Sequence, residues 1–270
     1  MFGQIALLLP ACLILLSATA TPPVEDPIGQ AVQRAGNWLV SFPEEQLRFD
    51  AAIGLHGIRQ RIDSDPLQAA WERAARVAER DSDNPMRRFW LPDASSPREA
   101  TSGWIAPGPA DERVNTNRVI AEALHCRENG WRPETTAYII GPMRDEGGYH
   151  TVHGLWALTI ARSNGCIPEA DFRHPAELLL KEIRQAQAGA AEPHATLEID
   201  LFAERLLMTL LANPAAGEAP DWAARLLALQ NEDGSWGTAA EGERAYYRYH
   251  ATMTAAWALA EYSATFLPRE

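Results

Sequence analysis

The sequence predicts an all-α protein whose helices form about five hairpins arranged as an α/α toroid, an incomplete (α/α)6-type barrel. Apolar residues recur at helical spacing along most of the chain, and no segment shows the alternation of a half-buried strand. Amphipathic helices alternate with helices that are apolar on more than one side, at a period of about 40 residues. The second kind is rich in Ala and Gly, which let neighbouring helices approach closely and favour a closed ring over an open solenoid.

The first 20 residues are predicted to be a signal peptide. Residues 5–17 are almost wholly apolar, and Ala18-Thr19-Ala20 offers the small residues of a cleavage site. The acidic, proline-containing residues 21–29 are predicted to be a linker. We therefore expect a secreted or periplasmic protein whose mature form does not span a membrane. A retained membrane anchor is the alternative, although the apolar run is shorter than the ~20 residues that a span requires.

Residues 30–270 are predicted to form a single domain. Its first three helices are centred near Trp38, Leu55 and Trp71. Five prolines then interrupt residues 82–111, but this stretch also holds aromatic residues, which disordered linkers lack. We therefore predict an ordered loop insertion that packs over the body of the domain.

Helical spacing resumes after this loop, and Gly, Asn or Pro residues mark the ends of most helices. The helices that begin near residues 50, 115, 149, 194 and 250 are expected to line the centre. The predicted helices after the loop are 115–128, 133–140, 149–162, 175–187, 194–211, 220–229 and 250–266.

The net charge of −12 argues against a nucleic-acid partner, because phosphate binding needs a basic surface. A small molecule or a glycan is the expected kind of ligand. The sequence indicates no cofactor and leaves the oligomeric state open.

One segment carries a specific resemblance. An outer helix ends at Gln230, a turn holds Asp233-Gly234-Ser235-Trp236, and an inner helix follows with Trp257. This order resembles the repeat of squalene cyclases and prenyltransferase β-subunits. The resemblance implies a toroid and a structural role for the motif: a turn tolerant of positive φ at Gly234, a Trp236 ring beneath the hairpin, and Gln230 bonded to free backbone groups.

The family's catalytic motifs are absent. Tyr149-His150-Thr151 is similar to a segment of prenyltransferase β-subunits in which the His binds zinc, but no Asp-x-Cys accompanies it. The Asp-x-Asp-Asp of squalene-hopene cyclases is also missing. The resemblance therefore implies the fold and not the activities. Residues 233–250 also loosely resemble alginate-lyase-type toroids, which act on acidic polysaccharides, although the Asn-Asn-His of that family is absent.

Each predicted inner helix opens with polar residues, and in a toroid these starts surround one mouth of the central cavity. Imidazoles and carboxylates gathered there suit acid–base chemistry. The candidate catalytic residues are His150, His194, His250, Glu198 and Tyr246. The candidate ligand-binding residues are Asp50, Asn115, His153, Arg244, Trp156 and Trp257.

Two other interpretations stay open for these residues. The polar groups could simply cap helices and fill a polar rim. A zinc site of His150, His194 and His250 is a further alternative, but no local ligand spacing supports it and no metal site is predicted. We expect Asp200 to point away from Glu198 and to pair with an arginine.

The sequence leaves the enzyme question open. The first hypothesis is an exported toroid that binds or processes an apolar or sugar-like ligand in its cavity. The alternatives are a polysaccharide lyase or hydrolase of the cell envelope, and a non-catalytic toroid that binds a ligand or a protein.

Cys126 and Cys166 end two successive inner helices and should lie at the same end of the ring. Adjacent helices are spaced ~8–10 Å apart, whereas a disulfide needs Cα atoms within ~7 Å. Loops beside both cysteines supply the slack, so we favour a disulfide over two free thiols. Cys12 lies in the predicted signal peptide.

Overall fold

A computed structural model describes residues 26–81, 84–91, 116–238 and 243–267, with the side chains of the last range from residue 245 onward. All regular structure in these ranges is helical, which confirms the all-α prediction. The principal helices are α1 (Pro27–Ser41), α2 (Asp50–Arg59), α3 (Asp65–Glu79), α4 (Thr116–Leu124), α5 (Cys126–Asn129), α6 (Pro133–Tyr138), α7 (Arg144–Glu146), α8 (Gly148–Ser163), α9 (Glu169–Gly189), α10 (Thr196–Ala212), α11 (Ala219–Ala228) and α12 (Glu243–Phe266).

The helices that are apolar on several sides pack against one another in a series. Helix α2 contacts α12, α12 contacts α10, α10 contacts α8, and α8 contacts α4. A short 3-10 helix, Pro85–Phe89, contacts both α4 and α2, the two ends of this series. The amphipathic helices α1, α3, α9 and α11 pack on the outside of it. The toroid arrangement itself stays a prediction.

Two glycines of α2 explain how closely α2 and α12 approach. A Cβ atom on Gly54 would lie 2.5 Å from the Met253 sulfur, and one on Gly57 would lie 2.2 Å from the Trp257 ring. Any larger residue would push these side chains away from the backbone of α2. The small residues of α2 therefore position Trp257 at the centre of the protein.

The turn between α11 and α12 has the structure that its motif predicts. Gly234 has a φ of +89°, and a Cβ atom there would lie 2.6 Å from the carbonyl oxygen of Arg34. Gln230 Nε2 donates to the carbonyl oxygens of Ala31 and Gly234 at 2.8 and 2.9 Å. Trp236 is completely buried, and its indole N–H donates to the Leu226 carbonyl at 2.7 Å. The motif thus ties the last hairpin to α1.

The predicted bounds of several helices are wrong. Helix α12 begins at Glu243 and not at residue 250, and the predicted helix 115–128 is broken at His125 between α4 and α5. Helix α9 begins at Glu169 and not at residue 175, because Pro168 precedes its first turn, which carries the acidic residues that favour a helix start. Pro175 lies within the helix. Helix α6 ends at Tyr138, and a π-helical turn, Ile139–Met143, follows it.

Cys126 and Cys166 form a disulfide with a Cα–Cα distance of 6.1 Å, as predicted. It links α5 to the turn that follows α8. The predicted signal peptide, most of the linker, and most of the 82–111 insertion lie outside the described residues. Within the part that is described, residues 84–91, the Trp90 ring packs on Phe49 and the Phe89 ring stacks on Trp156. No helix among the described residues is long and apolar enough to cross a membrane.

Candidate functional site

A cavity of about 300 Å3 lies between α2, α4, α8, α10 and α12. One part of its wall is apolar and aromatic, and the other holds carboxylates and imidazoles. The apolar part includes Phe49, Ile53, Met86, Ile120, Trp156, Leu207, Met208, Met253 and Trp257. The polar part includes Arg48, Asp50, Asn84, Asn117, His153, Glu204, His250 and Thr254.

His250 is at the centre of the polar wall. Its Nδ1 lies 2.9 Å from Asp200 Oδ1, and its Nε2 lies 3.7 Å from Asp50 Oδ2. The hydroxyl of Tyr149 donates to the second oxygen of Asp200 at 2.9 Å, and the hydroxyl of Tyr246 donates to Asp50. Two tyrosines thus hold the two carboxylates; Asp200 hydrogen-bonds one nitrogen of the imidazole, and Asp50 lies near the other as a charged neighbour. A ring oriented in this way is suited to proton transfer.

The charges around His250 favour its imidazolium form. Burial alone would lower the pKa of His250, yet the negative charges of Asp200, Asp50 and Glu204 and the hydrogen bond to Asp200 raise it to about 10. Burial and the neighbouring carboxylates also raise the pKa of Tyr149 and of Tyr246. Both phenols therefore stay protonated and keep donating to Asp200 and Asp50.

Glu204 extends the cluster one helical turn beyond Asp200. The i, i+4 spacing places both carboxylates on the same face of α10. Both side chains are about 6% exposed. Glu204 Oε2 lies 3.3 Å from His153 Nε2, but it accepts no hydrogen bond within the described part of the chain. Glu204 is therefore the least satisfied carboxylate of the wall.

Two tryptophans separate this cavity from a second one. The rings of Trp156 on α8 and Trp257 on α12 meet edge to face, with centroids 6.1 Å apart. Beyond them lies a cavity of about 330 Å3, lined in part by His56, Phe89 and Leu211. The tryptophan pair lines both cavities and so forms the boundary between them.

The structure brings together many of the residues that the sequence singles out. Asp50, His153, His250, Trp156 and Trp257 all line the first cavity. Tyr246 lies directly behind Asp50. Asn115 and the side chain of Arg244 lie outside the described part of the chain.

Three candidate catalytic residues do not line the cavity: His150, His194 and Glu198. Glu198 was expected to face the cavity, but it is exposed and accepts hydrogen bonds from the backbone N–H groups of His194 and Ala195. These bonds lower the pKa of Glu198 and satisfy free donors at the start of α10. Capping is therefore the observed role of this carboxylate. His194 is exposed beside it, and of the three histidines weighed for zinc only His250 lines the cavity.

The expectation for Asp200 is also corrected. It faces His250 and Tyr149 in the interior, and Arg205 instead donates to Gln187. Sequence reasoning thus missed three residues of the cluster around His250, namely Asp200, Glu204 and Tyr149, and four other polar residues of the wall, namely Arg48, Asn84, Asn117 and Thr254. The available indication was two carboxylates at i, i+4 in an otherwise apolar helix, a placement that requires partners.

The polar wall also holds a group of side chains able to bind a metal. One donor atom each from Asp200, Glu204 and His250 lies within 4.8 Å of the others.

Comparisons with known proteins add no family and no function to this description. No protein-family model matches the chain, and no curated protein or solved structure matches it significantly. The similarity to squalene cyclases and prenyltransferase β-subunits therefore stays a prediction.

Proposed function

We propose that this protein binds a small, mostly apolar ligand in the first cavity, with a neutral or positively charged polar end directed at the wall around His250. The observation that carries the proposal is the division of one cavity into an aromatic side and a carboxylate–imidazole side. A cavity of this size, mostly apolar with a few convergent polar groups, is typical of small-molecule sites.

The charge of the polar wall supports this choice of ligand. Asp50 and Glu204 line this wall and Asp200 lies behind His250, so that three carboxylates surround one imidazolium, which offsets one of them. Arg48 also lines the cavity, with its guanidinium 4.6 Å from the centroid of the Tyr246 ring, and it offsets a second carboxylate, so that the group as a whole keeps a net negative charge. A polyuronate would be repelled by these carboxylates, so the wall favours a neutral or cationic ligand over the substrate of an alginate-type lyase.

The position of His250 favours a second candidate function, an enzyme that transfers a proton to or from the polar end of the ligand. A catalytic imidazole needs a partner that orients its ring, and Asp200 fills this role. Asp200 would then be a positioning residue and His250 the group that touches the ligand.

Ligand binding can be tested with N-phenyl-1-naphthylamine, a neutral aromatic probe with one N–H donor whose fluorescence rises in apolar surroundings. We expect the chain to bind one equivalent, with Trp257→Ala weakening the affinity about tenfold, since an aromatic contact contributes about 0.5–1.5 kcal/mol beyond its buried area. Fluorescence titration in the presence of EDTA gives the two dissociation constants.

Trp131→Ala is the matched control, because Trp131 lines neither cavity and its indole donates to Thr136 on the same segment. This variant should bind the probe as the unmodified chain does, and circular dichroism should show that both variants are folded. Equal affinities for Trp257→Ala and Trp131→Ala would contradict binding at the tryptophan pair.

A further inference from the structure

Asp200, Glu204 and His250 have the composition and spacing of a metal-binding group. Asp200 and Glu204 project from the same face of α10, and His250 approaches them from α12. Their donor atoms lie within 4.8 Å of one another, so small side-chain adjustments would bring all three onto one ion, at the ~2.0–2.2 Å typical of zinc.

The unsatisfied oxygen of Glu204 is an independent indication of a missing ligand. This carboxylate is buried and lines the cavity, yet its Oε2 accepts no hydrogen bond within the described ranges. The neighbouring His153 Nδ1 is buried and unbonded as well. His153 Nε2, 3.3 Å away, does not complete a hydrogen bond to this oxygen, so burial of the carboxylate is costly, and a bound cation removes that cost.

We infer that Asp200, Glu204 and His250 bind a divalent transition-metal cation such as Zn2+ at the polar wall of the cavity. One imidazole nitrogen with two carboxylate oxygens suits Zn2+, Mn2+ or Fe2+, whereas Ca2+ and Mg2+ take oxygen ligands alone. The cavity leaves the remaining coordination position open to water or a ligand, as in metal sites that catalyse reactions.

The residues around the three ligands fit this assignment. Tyr149 donates to the second oxygen of Asp200, and Asp50 lies beside the second nitrogen of His250. Metal ligands in proteins are oriented by outer hydrogen bonds such as the one from Tyr149 to Asp200.

The site lies on the wall of the proposed ligand cavity but does not depend on the organic ligand, so the two proposals can be tested separately. The full-length, untagged chain is freed of metal with EDTA, dialysed, and titrated calorimetrically with ZnCl2 and, in a second experiment, with MgCl2. We expect one equivalent of Zn2+ to bind, with no comparable binding of Mg2+. Co2+ in place of Zn2+ should give visible absorption bands.

Glu204→Gln keeps the shape of the side chain but removes a charged ligand, and it should weaken Zn2+ binding at least 100-fold. Glu182→Gln, the same substitution at an exposed position of α9, should leave Zn2+ binding unchanged. Absence of saturable Zn2+ binding to the unmodified chain would overturn the inference whether or not the variants fold. Equal affinities of the Glu204→Gln and Glu182→Gln variants would overturn it too. The fluorescence titration with N-phenyl-1-naphthylamine is run in EDTA, so its result does not depend on whether the chain binds Zn2+.

Discussion

Replacing Trp236 with alanine is expected to lower the free energy of unfolding by about 3–5 kcal/mol, the usual loss for a buried tryptophan truncated to alanine. The Trp236 ring is fully buried, and its N–H bonds the Leu226 carbonyl at the end of α11. The substitution would leave a cavity under the last hairpin and a carbonyl without its donor. Urea unfolding followed by circular dichroism measures the change.

The variant Trp236→Phe helps to separate the contribution of the buried ring from that of the hydrogen bond to Leu226. It retains the six-membered part of the buried ring system but removes the donor to Leu226 and leaves a smaller cavity, so we expect a smaller loss, about 1–3 kcal/mol. A loss below about 1 kcal/mol for Trp236→Ala would show that this residue does not hold the hairpin against the body of the protein.

Removing the disulfide is expected to cost about 2–4 kcal/mol of stability, mainly because the unfolded chain gains freedom. Cys126 and Cys166 are 40 residues apart in sequence and close a loop that includes α6 and all of α8, one of the helices that line the cavity. The double variant Cys126→Ala, Cys166→Ala should unfold at lower urea concentration than the oxidised chain.

Dithiothreitol provides the control for this experiment. It should destabilise the unmodified chain to the level of the double variant and leave the double variant itself unchanged. Free thiols at both Cys126 and Cys166 in the air-oxidised, unfolded protein would contradict the pairing.

Local sequence patterns are sufficient to predict the helices and the structural motifs. The Asp233-Gly234 turn, the buried Trp236 and the Gln230 hydrogen bond to Gly234 follow from chemistry within one hairpin, whereas the Gln230 bond to Ala31 of α1 depends on the fold. The disulfide follows from the matching positions of two cysteines on successive helices. In each case the residues that interact lie on one hairpin or on adjacent elements.

The site could be predicted only in part, because the sequence does not specify how an inner helix is rotated about its axis. Helix α10 is apolar on nearly all sides, so no polar stripe indicates which of Glu198, Asp200 and Glu204 faces the cavity. Packing against α12 decides the rotation, and it turns Asp200 and Glu204 inward. Glu198, in the first turn, bonds backbone donors instead.

The sequence also does not specify which of the histidines reaches the cavity. His150, His194 and His250 occupy similar positions near the starts of their segments, yet only His250 reaches the cavity wall. Helix α12 extends upstream from residue 250 to Glu243, so His250 lies inside this helix and not at its first turn. The shared position in the sequence is therefore not a shared position in space.

The most direct test of the account is a crystal structure of the chain grown with N-phenyl-1-naphthylamine. We predict that the probe's rings pack on Trp156 and Trp257, with its N–H directed at the carboxylates beside His250. A probe bound elsewhere on the protein, or Asp200 and His250 side chains that face away from each other, would contradict the claim that these helices build one ligand cavity.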